Sequence, residues 1–338
     1  MIVCGGEALM DFTRQAGGDY APHPGGSPYN VAVALARQDV PTAFLGQISR
    51  DLFGEQLLAH LQNSGVDISL VSRSARPSTL AFVDTLGQAE PQYAFYAQGA
   101  ADVELLPEGV SDTPEARITH VGSVSLMQEP CGQTWEDYAQ WASGLLSFDP
   151  NIRPALIPDR EAYLGRFGRV LARTGLLKLS SPDLEWLFPE KAEPLAAQAL
   201  LERGPGVVIV TGGARGATLY TAGLTLRQSA FRVTVADTVG AGDTFTAAFL
   251  AELYRRGFPP GDPGRPDPGQ LDPGQLDPGQ LQVCLRWAAA SAALSCRKTG
   301  TQPPTFAQTQ TFLSSQDLSS HDLFSQDLSS QEFGHAQI

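Results

Sequence analysis

Residues 237–243 read Asp237-Thr238-Val239-Gly240-Ala241-Gly242-Asp243, and a helical pattern over 244–256 follows at once. The glycines on either side of Ala241 allow a tight turn in which several backbone N–H groups face outward together. The helix adds the positive end of its dipole at the same place. The stretch therefore predicts an anion hole that stabilises the negative charge developing on a phosphoryl group. A turn of this kind before a helix is typical of a protein built from strands and helices.

Asp243 ends this turn, at the mouth of the predicted hole. A carboxylate there is suited to accept the proton of an attacking hydroxyl group. Helix capping is the competing interpretation, but Ser or Thr would cap equally well, and capping explains neither the glycines nor Asp237. We expect Asp243 to be a general base, with Gly240, Ala241 and Gly242 forming the hole.

Outside this turn, short apolar runs alternate with helical patterns. The runs predicted as buried strands are 2–4, 43–45, 118–121, 176–179 and 207–210. The helical patterns cover 31–37, 53–62, 163–172, 245–255 and 283–296. Such alternation predicts an α/β fold with a mainly parallel central sheet, helices on both faces and ligands at the carboxyl ends of the strands.

One stretch departs from this alternation. Thr79–Asp84 and Gln92–Tyr96 are strand-like, and a turn-rich segment without a helix joins them. This predicts a hairpin, for which a projecting flap and an ordinary extension of the sheet fit the pattern equally well. We expect a small β-flap, or lid, that consists of a loop at about 12–24 and the hairpin at 78–102.

A second motif begins Gly25-Gly26-Ser27-Pro28-Tyr29-Asn30 and is followed by a small, apolar helical run. The two glycines let the backbone approach a polyol closely, and Asn30 can both donate and accept hydrogen bonds at adjacent hydroxyls. Together with the 237–243 turn, this segment resembles the ribokinase-like, or pfkB, carbohydrate kinases, and the resemblance runs from residue 2 to about 304. It implies a ribokinase-like fold, ATP as phosphoryl donor and Asp243 as the base.

The resemblance also implies a sugar site. Residues 7–12 look like the opening of fructokinase-type members, in which the acid at Asp11 holds sugar hydroxyls. Residues 149–153 resemble the DxNxR string of the family, so Arg153 is assigned to the substrate or to the phosphoryl group, with a surface salt bridge as the alternative. The substrate-binding residues implied are Asp11, Gly25, Gly26, Asn30, Tyr96, Arg153 and Asp243.

The nucleotide site follows in the same way. The turn 211–216 and the alanine-rich helix 287–294 resemble the segments that surround the nucleotide in this family. An ordinary turn, or a helix with small side chains for close packing, would give the same sequence patterns. The residues implied are Lys178, Ser180, Thr211, Gly213, Gly216, Ala241, Gly242, Ala289 and Ala293. Mg²⁺ is implied with Asp183 and Asp237, through water, and K⁺ near Gly300 is left open. Asp183 stands where the family's Asn-x-x-Glu string has Glu, which affects the magnesium geometry.

Several substrates remain open at this stage. Related kinases commonly place an Arg just after Tyr96, whereas this chain has Ala97 and Gln98. A neutral ketose, with fructose first, is therefore expected. The alternatives are 2-keto-3-deoxygluconate, favoured by Arg153, then ribose or a nucleoside, and finally a non-catalytic sugar- or nucleotide-binding regulator on the same fold.

Composition excludes other classes. The formal net charge is −13, which argues against a nucleic-acid partner. No lysine follows a glycine, so there is no Walker A loop. The four scattered cysteines show no metal-ligand spacing, and no basic leader or long apolar run occurs. We expect a cytoplasmic protein with no membrane partner, and a homodimer is compatible with the sequence although no pattern specifies it.

Two segments have compositions unsuited to a packed core. Residues 259–281 include repeats of Asp-Pro-Gly-Gln-Leu, and residues 314–338 repeat variants of Ser-Ser-Gln-Asp-Leu. The first is expected to be a flexible insertion and the second a disordered tail. The remainder, residues 1–313, is expected to be one kinase domain.

Overall fold

The structure is a computed structural model that describes residues 1–15, 17–84, 92–111, 113–258 and 277–316. The strands are β1 Ile2–Gly5, β2 Leu9–Arg14, β3 Tyr20–Gly25, β4 Thr42–Ser49, β5 Val71–Ser74, β6 Thr79–Asp84, β7 Gln92–Tyr96, β8 Ile118–Gly122, β9 Leu145–Asp149, β10 Leu176–Ser180, β11 Val207–Thr211, β12 Ala217–Tyr220 and β13 Thr225–Gln228. The helices are α1 Ser27–Arg37, α2 Leu52–Asn63, α3 Cys131–Trp141, α4 Arg160–Leu171, α5 Ser181–Leu187, α6 Glu193–Leu201, α7 Ala241–Arg255 and α8 Pro278–Ser295. A final helical segment covers 306–316.

The central sheet has nine strands in the order β13-β12-β11-β10-β9-β8-β1-β4-β5. Every pair from β11 to β5 is parallel, and β12 and β13 add an antiparallel edge. The order turns back at β1, which lies between β8 and β4. The predicted α/β fold with a mainly parallel sheet is confirmed, and the carboxyl ends of its strands meet along one edge.

Helices cover both faces of the sheet because successive strand residues point to opposite sides. In β1, Ile2 and Cys4 join a core with α1, α2, α7 and α8, whereas Val3 joins a second core with α3, α4, α5 and α6. Both faces of the parallel strands are therefore buried, as their continuous apolar runs predict.

A second sheet of four strands, in the order β3-β2-β6-β7, stands beside the first. The segment expected as a loop at about 12–24 instead forms most of β2 and β3, an antiparallel hairpin with Asp11 opposite His23. Pro22 and Pro24 make this segment unlike a strand in the sequence. Because β3 lies at the edge of the sheet, a proline that lacks an N–H group need not remove a hydrogen bond between strands. The small lid is thus more regular than expected.

Two predicted boundaries differ. Helix α8 begins at Pro278, inside the segment expected to be flexible, because the Asp277 side chain accepts a hydrogen bond from the backbone N–H of Gly279 and proline suits the first turn. The helical segment 306–316 likewise runs past residue 313. The rest of the expected insertion, 259–276, the rest of the tail, 317–338, and the hairpin turn at 85–91 lie outside the described residues. Within the described ranges, no helix combines the length and apolar character required to cross a lipid bilayer.

Candidate active site

A cleft of about 250 Å³ opens between the carboxyl edge of the central sheet and the lid. The lid contributes alternate residues of β2, Leu9, Asp11 and Thr13, to the cleft. Phe12, between them, faces the other way and stacks on Phe82 with ring centroids 4.9 Å apart. The alternation of a strand therefore turns the side of the lid that carries Asp11 and Thr13 toward the cleft.

Asp243 lies in the wall of this cleft, in the first turn of α7, and is 9% exposed. Its Oδ1 accepts a hydrogen bond from Ser27 Oγ at 2.7 Å, and its Oδ2 accepts one from Asn30 Nδ2 at 2.9 Å. Both donors belong to α1, which packs against α7. The carboxylate is held in one orientation, facing space that a substrate could occupy.

The turn before Asp243 has the geometry that its glycines predict. Gly240 adopts the left-handed conformation at φ 72°, and a Cβ there would lie 2.6 Å from Thr301 Cγ2. The Ala241 N–H donates to Thr238 O at 3.2 Å. Within the described chain, the N–H groups of Gly242 and Asp243 have no acceptor, so the start of α7 offers donors to an anion.

The charge state of Asp243 is set by opposing effects. Burial raises the pKa of Asp243, and the hydrogen bonds from Asn30 and Ser27 act to lower it. The charge of Asp149 raises this pKa further, and the charge of Lys178 lowers it. A carboxylate whose affinity for a proton is raised, yet which keeps its donors, is suited to general-base catalysis.

Asp11 and the diglycine turn, which were assigned to the sugar, lie close together. A Cβ on Gly25 would lie 2.1 Å from Asp11 Oδ2, and a Cβ on Gly26, at φ 107°, would lie 2.5 Å from the carbonyl oxygen of Glu7. Gly26 is therefore required by the backbone, whereas a side chain at Gly25 would have to displace the Asp11 carboxylate. Burial, and next the charge of Asp243, raise the pKa of Asp11 to about 7.

Arg153 also lines the cleft, beyond the end of β9. Its Nη1 donates to the side-chain oxygen of Asn151 at 2.9 Å and to the carbonyl oxygen of the same residue at 3.1 Å. Asn151 has φ 38°, which turns the chain sharply after the strand. The DxNxR string thus brings a guanidinium group to the cleft wall.

Lys178, on β10, approaches the turn at 237–243. Its Nζ lies 2.8 Å from Asp149 Oδ2, and a Cβ built on Gly242 would lie 3.2 Å from the same nitrogen. Burial acts to lower the pKa of Lys178, but the charge and hydrogen bond of Asp149, together with the charges of Asp183 and Asp243, outweigh this effect and the pKa is raised. The lysine is therefore a fixed positive charge next to the N-terminus of α7.

Five of the residues assigned to the nucleotide lie around the end of β11 and on α8. Thr211 ends β11, and the turn through Gly213 to Gly216 leads into β12. A Cβ on Gly216, at φ 89°, would lie 2.0 Å from the carbonyl oxygen of Gln228, so this glycine is needed for the β12–β13 pairing as well. Ala289 and Ala293 are buried on α8. None of these five lines the cleft that holds Asp243, whereas Lys178 and Gly242, which were also assigned to the nucleotide, do.

The two carboxylates assigned to magnesium already hold backbone groups. Asp183 accepts hydrogen bonds from the N–H groups of Ser180 and Ile152, and from Ser180 Oγ, and thereby caps α5. Asp237 accepts from the N–H groups of Val239 and Gly300. No cluster of three or more His, Cys, Asp or Glu side chains able to hold a metal ion occurs in the described residues. The donor set therefore suits a hydrated ion bound chiefly by phosphates.

Two differences from the predicted site stand out. Tyr96 is 65% exposed and packs its ring on Phe82, and its neighbour Phe95 lines the cleft instead. Glu7 and Ser27, which were not predicted as site residues, lie in the cleft wall. Their signal in the sequence is weak: one acid after the first strand, and one small polar residue after the glycine pair.

Comparison with known proteins agrees with this geometry. The model of the pfkB family of carbohydrate kinases matches residues 1–308. A fructokinase from Rhizobium leguminosarum bv. trifolii is 41% identical over 261 residues, which is 75% of this chain and 79% of the relative. Probable fructokinase-3 of Arabidopsis thaliana is 31% identical over 332 residues, covering 94% of this chain and 92% of the relative.

Solved structures show the same similarity. A fructokinase from Xylella fastidiosa with bound ATP has a TM-score of 0.81 and 28% identity, covering 94% of this chain and 98% of that one. A fructokinase from Vibrio cholerae O395, bound to fructose, ADP and a calcium ion, has a TM-score of 0.80 and 25% identity, covering 92% and 98%. With the turn at 237–243 and the diglycine segment meeting in one cleft, the chain belongs to the pfkB family and is a carbohydrate kinase.

Proposed function

We propose that this protein transfers the γ-phosphoryl group of ATP to a hydroxyl group of fructose. The observation that carries the proposal is the position of Asp243, whose carboxylate lies in the cleft between the first N–H groups of α7 and the face of the lid that carries Asp11. Fructokinases among both the sequence relatives and the solved structures support fructose as the acceptor.

In this mechanism the sugar lies between the lid and the diglycine turn. Asp11 accepts hydrogen bonds from sugar hydroxyls, and Asp243 takes the proton of the attacking hydroxyl as its oxygen bonds to phosphorus. The N–H groups at the start of α7 and the ammonium of Lys178 stabilise negative charge on the transferred group. Closure of the lid excludes water and so limits ATP hydrolysis.

Magnesium supplies charge neutralisation on the phosphates when it is bound, and Asp183 and Asp237 are the groups that would reach it through water. Both carboxylates keep free lone pairs beyond the backbone groups that they hold. The chain's own role is to orient these carboxylates. Asp183 is oriented by its hydrogen bonds at the start of α5, and Asp237 by the hydrogen bond from the Gly300 N–H.

A second substrate, 2-keto-3-deoxygluconate, is favoured by one observation: Arg153 lines the cleft and could pair with a sugar carboxylate. A coupled assay with ATP and Mg²⁺ across fructose, 2-keto-3-deoxygluconate, ribose and a nucleoside tests the proposal. We expect the highest kcat/KM with fructose. A preference for the acidic sugar would replace fructose as the substrate, and turnover of none of them would favour the binding regulator.

A further inference from the structure

Ser27 makes a contact that the proposed mechanism does not use. It occupies the first position of α1, is 5% exposed, and lines the cleft. Its Oγ lies 2.7 Å from Asp243 Oδ1, and Asn30 serves the other carboxylate oxygen. Hydrogen bonds to an ionised acceptor are short and strong, so this hydroxyl stabilises the charged form of the base more than the protonated form.

The position of Ser27 is fixed from the opposite side. Its backbone N–H donates to Glu7 Oε1 at 2.9 Å, and Glu7 Oε2 accepts from the N–H of Ser125 at 3.2 Å. Glu7 is 2% exposed and follows β1 directly. The carboxylate of Glu7 therefore ties the start of α1 to the segment after β8, and Ser27 is held in place rather than free to turn away.

The surroundings of Asp243 make such a donor useful. The charged groups that share its side of the fold are Glu7, Asp11, Asp149, Arg153 and Lys178. Three of these five are acids, and Asp243 itself is buried, so both burial and like charge disfavour its ionised form. The hydrogen bonds that Ser27 and Asn30 donate to the carboxylate oxygens stabilise the ionised form and so counteract these effects.

We propose that Ser27 is a positioning residue for the base: its hydroxyl orients the Asp243 carboxylate and keeps it ionised, ready to accept the proton of the sugar. This inference rests on the proposed function, because it concerns the same base. It assigns to Ser27 a role in the pH range over which the enzyme works, rather than a role in holding sugar or ATP.

The test is the pH dependence of kcat, measured at saturating sugar and ATP so that the groups of the ternary complex are reported. Removing a donor to the charged form raises the pKa of an acid, so Ser27→Ala should move the acidic limb of the profile to higher pH. At pH values on the acidic limb we expect the kcat of Ser27→Ala to be about tenfold lower than that of the unmodified protein. This corresponds to a shift of about one pKa unit, the effect expected from the loss of one charge-assisted hydrogen bond. At alkaline pH the two should converge.

Ser27→Thr is the matched control, because it keeps a hydroxyl at the same atom and should restore the original limb. Ser27→Cys, a weaker donor, should give an intermediate shift, and it serves as the test if Ser27→Ala fails to fold by circular dichroism. Equal loss at every pH, or a raised KM for sugar with an unmoved limb, would overturn the inference. An unmodified protein that phosphorylates no sugar would instead refute the proposed function.

Discussion

Lys178 Nζ and Asp149 Oδ2 form an ion pair 2.8 Å long, in which the two side chains are only 6% and 1% exposed. The pair joins β10 to the end of β9, next to the turn at 237–243. A surface pair of this length would contribute little to stability, whereas removal of one partner of a buried pair leaves an unmatched charge in a poorly solvated place.

Lys178→Met should therefore lower the free energy of unfolding by about 3–5 kcal/mol, because Asp149 would be buried without its cation. Urea denaturation followed by circular dichroism measures the loss. The double variant Lys178→Met with Asp149→Asn should be more stable than Lys178→Met alone, since it removes the unmatched charge. A single variant as stable as the unmodified protein would mean that solvent reaches the pair.

Gly25→Ala should weaken sugar binding, because the new Cβ would lie 2.1 Å from Asp11 Oδ2 and must displace that carboxylate. We expect the KM for fructose to rise by about 10- to 100-fold, the loss expected for hydrogen bonds to a charged group, with the KM for ATP unchanged. Gly17→Ala is the control on the same hairpin, since nothing lies within 4 Å of its Cβ. Similar kinetics for both variants would remove Asp11 from the sugar site.

Asp243→Asn should lower kcat by about 10²- to 10⁴-fold or more, because an amide cannot take the proton of the sugar hydroxyl. The amide oxygen can still accept hydrogen bonds, so the wall of the cleft should persist. Isothermal titration calorimetry should then find fructose binding within about threefold of the unmodified protein. A comparable loss of binding and turnover would indicate a structural role for this carboxylate.

Sugar affinity should depend on pH through Asp11, whose pKa is raised to about 7. Below that pH the carboxyl group is protonated and loses acceptor capacity, so the KM for fructose should fall as pH rises through about 7. Asp11→Asn should have a high KM that does not change over the same range. Parallel pH dependence in the two proteins would assign the titration to another group.

The sequence predicted the chemically active residues of the site better than the residues that hold them in place. The string at 149–153 ends the parallel strand β9, so the sequence pattern alone places it at the carboxyl edge of the sheet. The turn at 237–243 and the diglycine pair end no parallel strand, and it was the family resemblance that brought them to the same site. Neither route predicted the partners of these residues. Ser27 and Asp243 are 216 residues apart, and nothing in either local pattern indicates that their side chains meet.

Local rules also failed where the surroundings override them. Strand β3 contains two prolines and reads as a loop, yet its edge position tolerates them. Helix α8 begins within a Pro- and Gly-rich repeat because Asp277 and Pro278 form a favourable helix start. Tyr96 was assigned by family likeness, whereas the alternation of β7 places Phe95 in the cleft.

The pairing of α1 with α7 has a consequence for synthesis. Strand β1 lies inside the sheet between β4 and β8, and the hydrogen bonds at the base span 213 and 216 residues. A nascent polypeptide still short of residue 243 lacks both the base and the start of α7, and so has no means of turnover. Premature termination or proteolytic loss of the last third would yield an inert fragment, so catalysis begins only when the two distant helices have met.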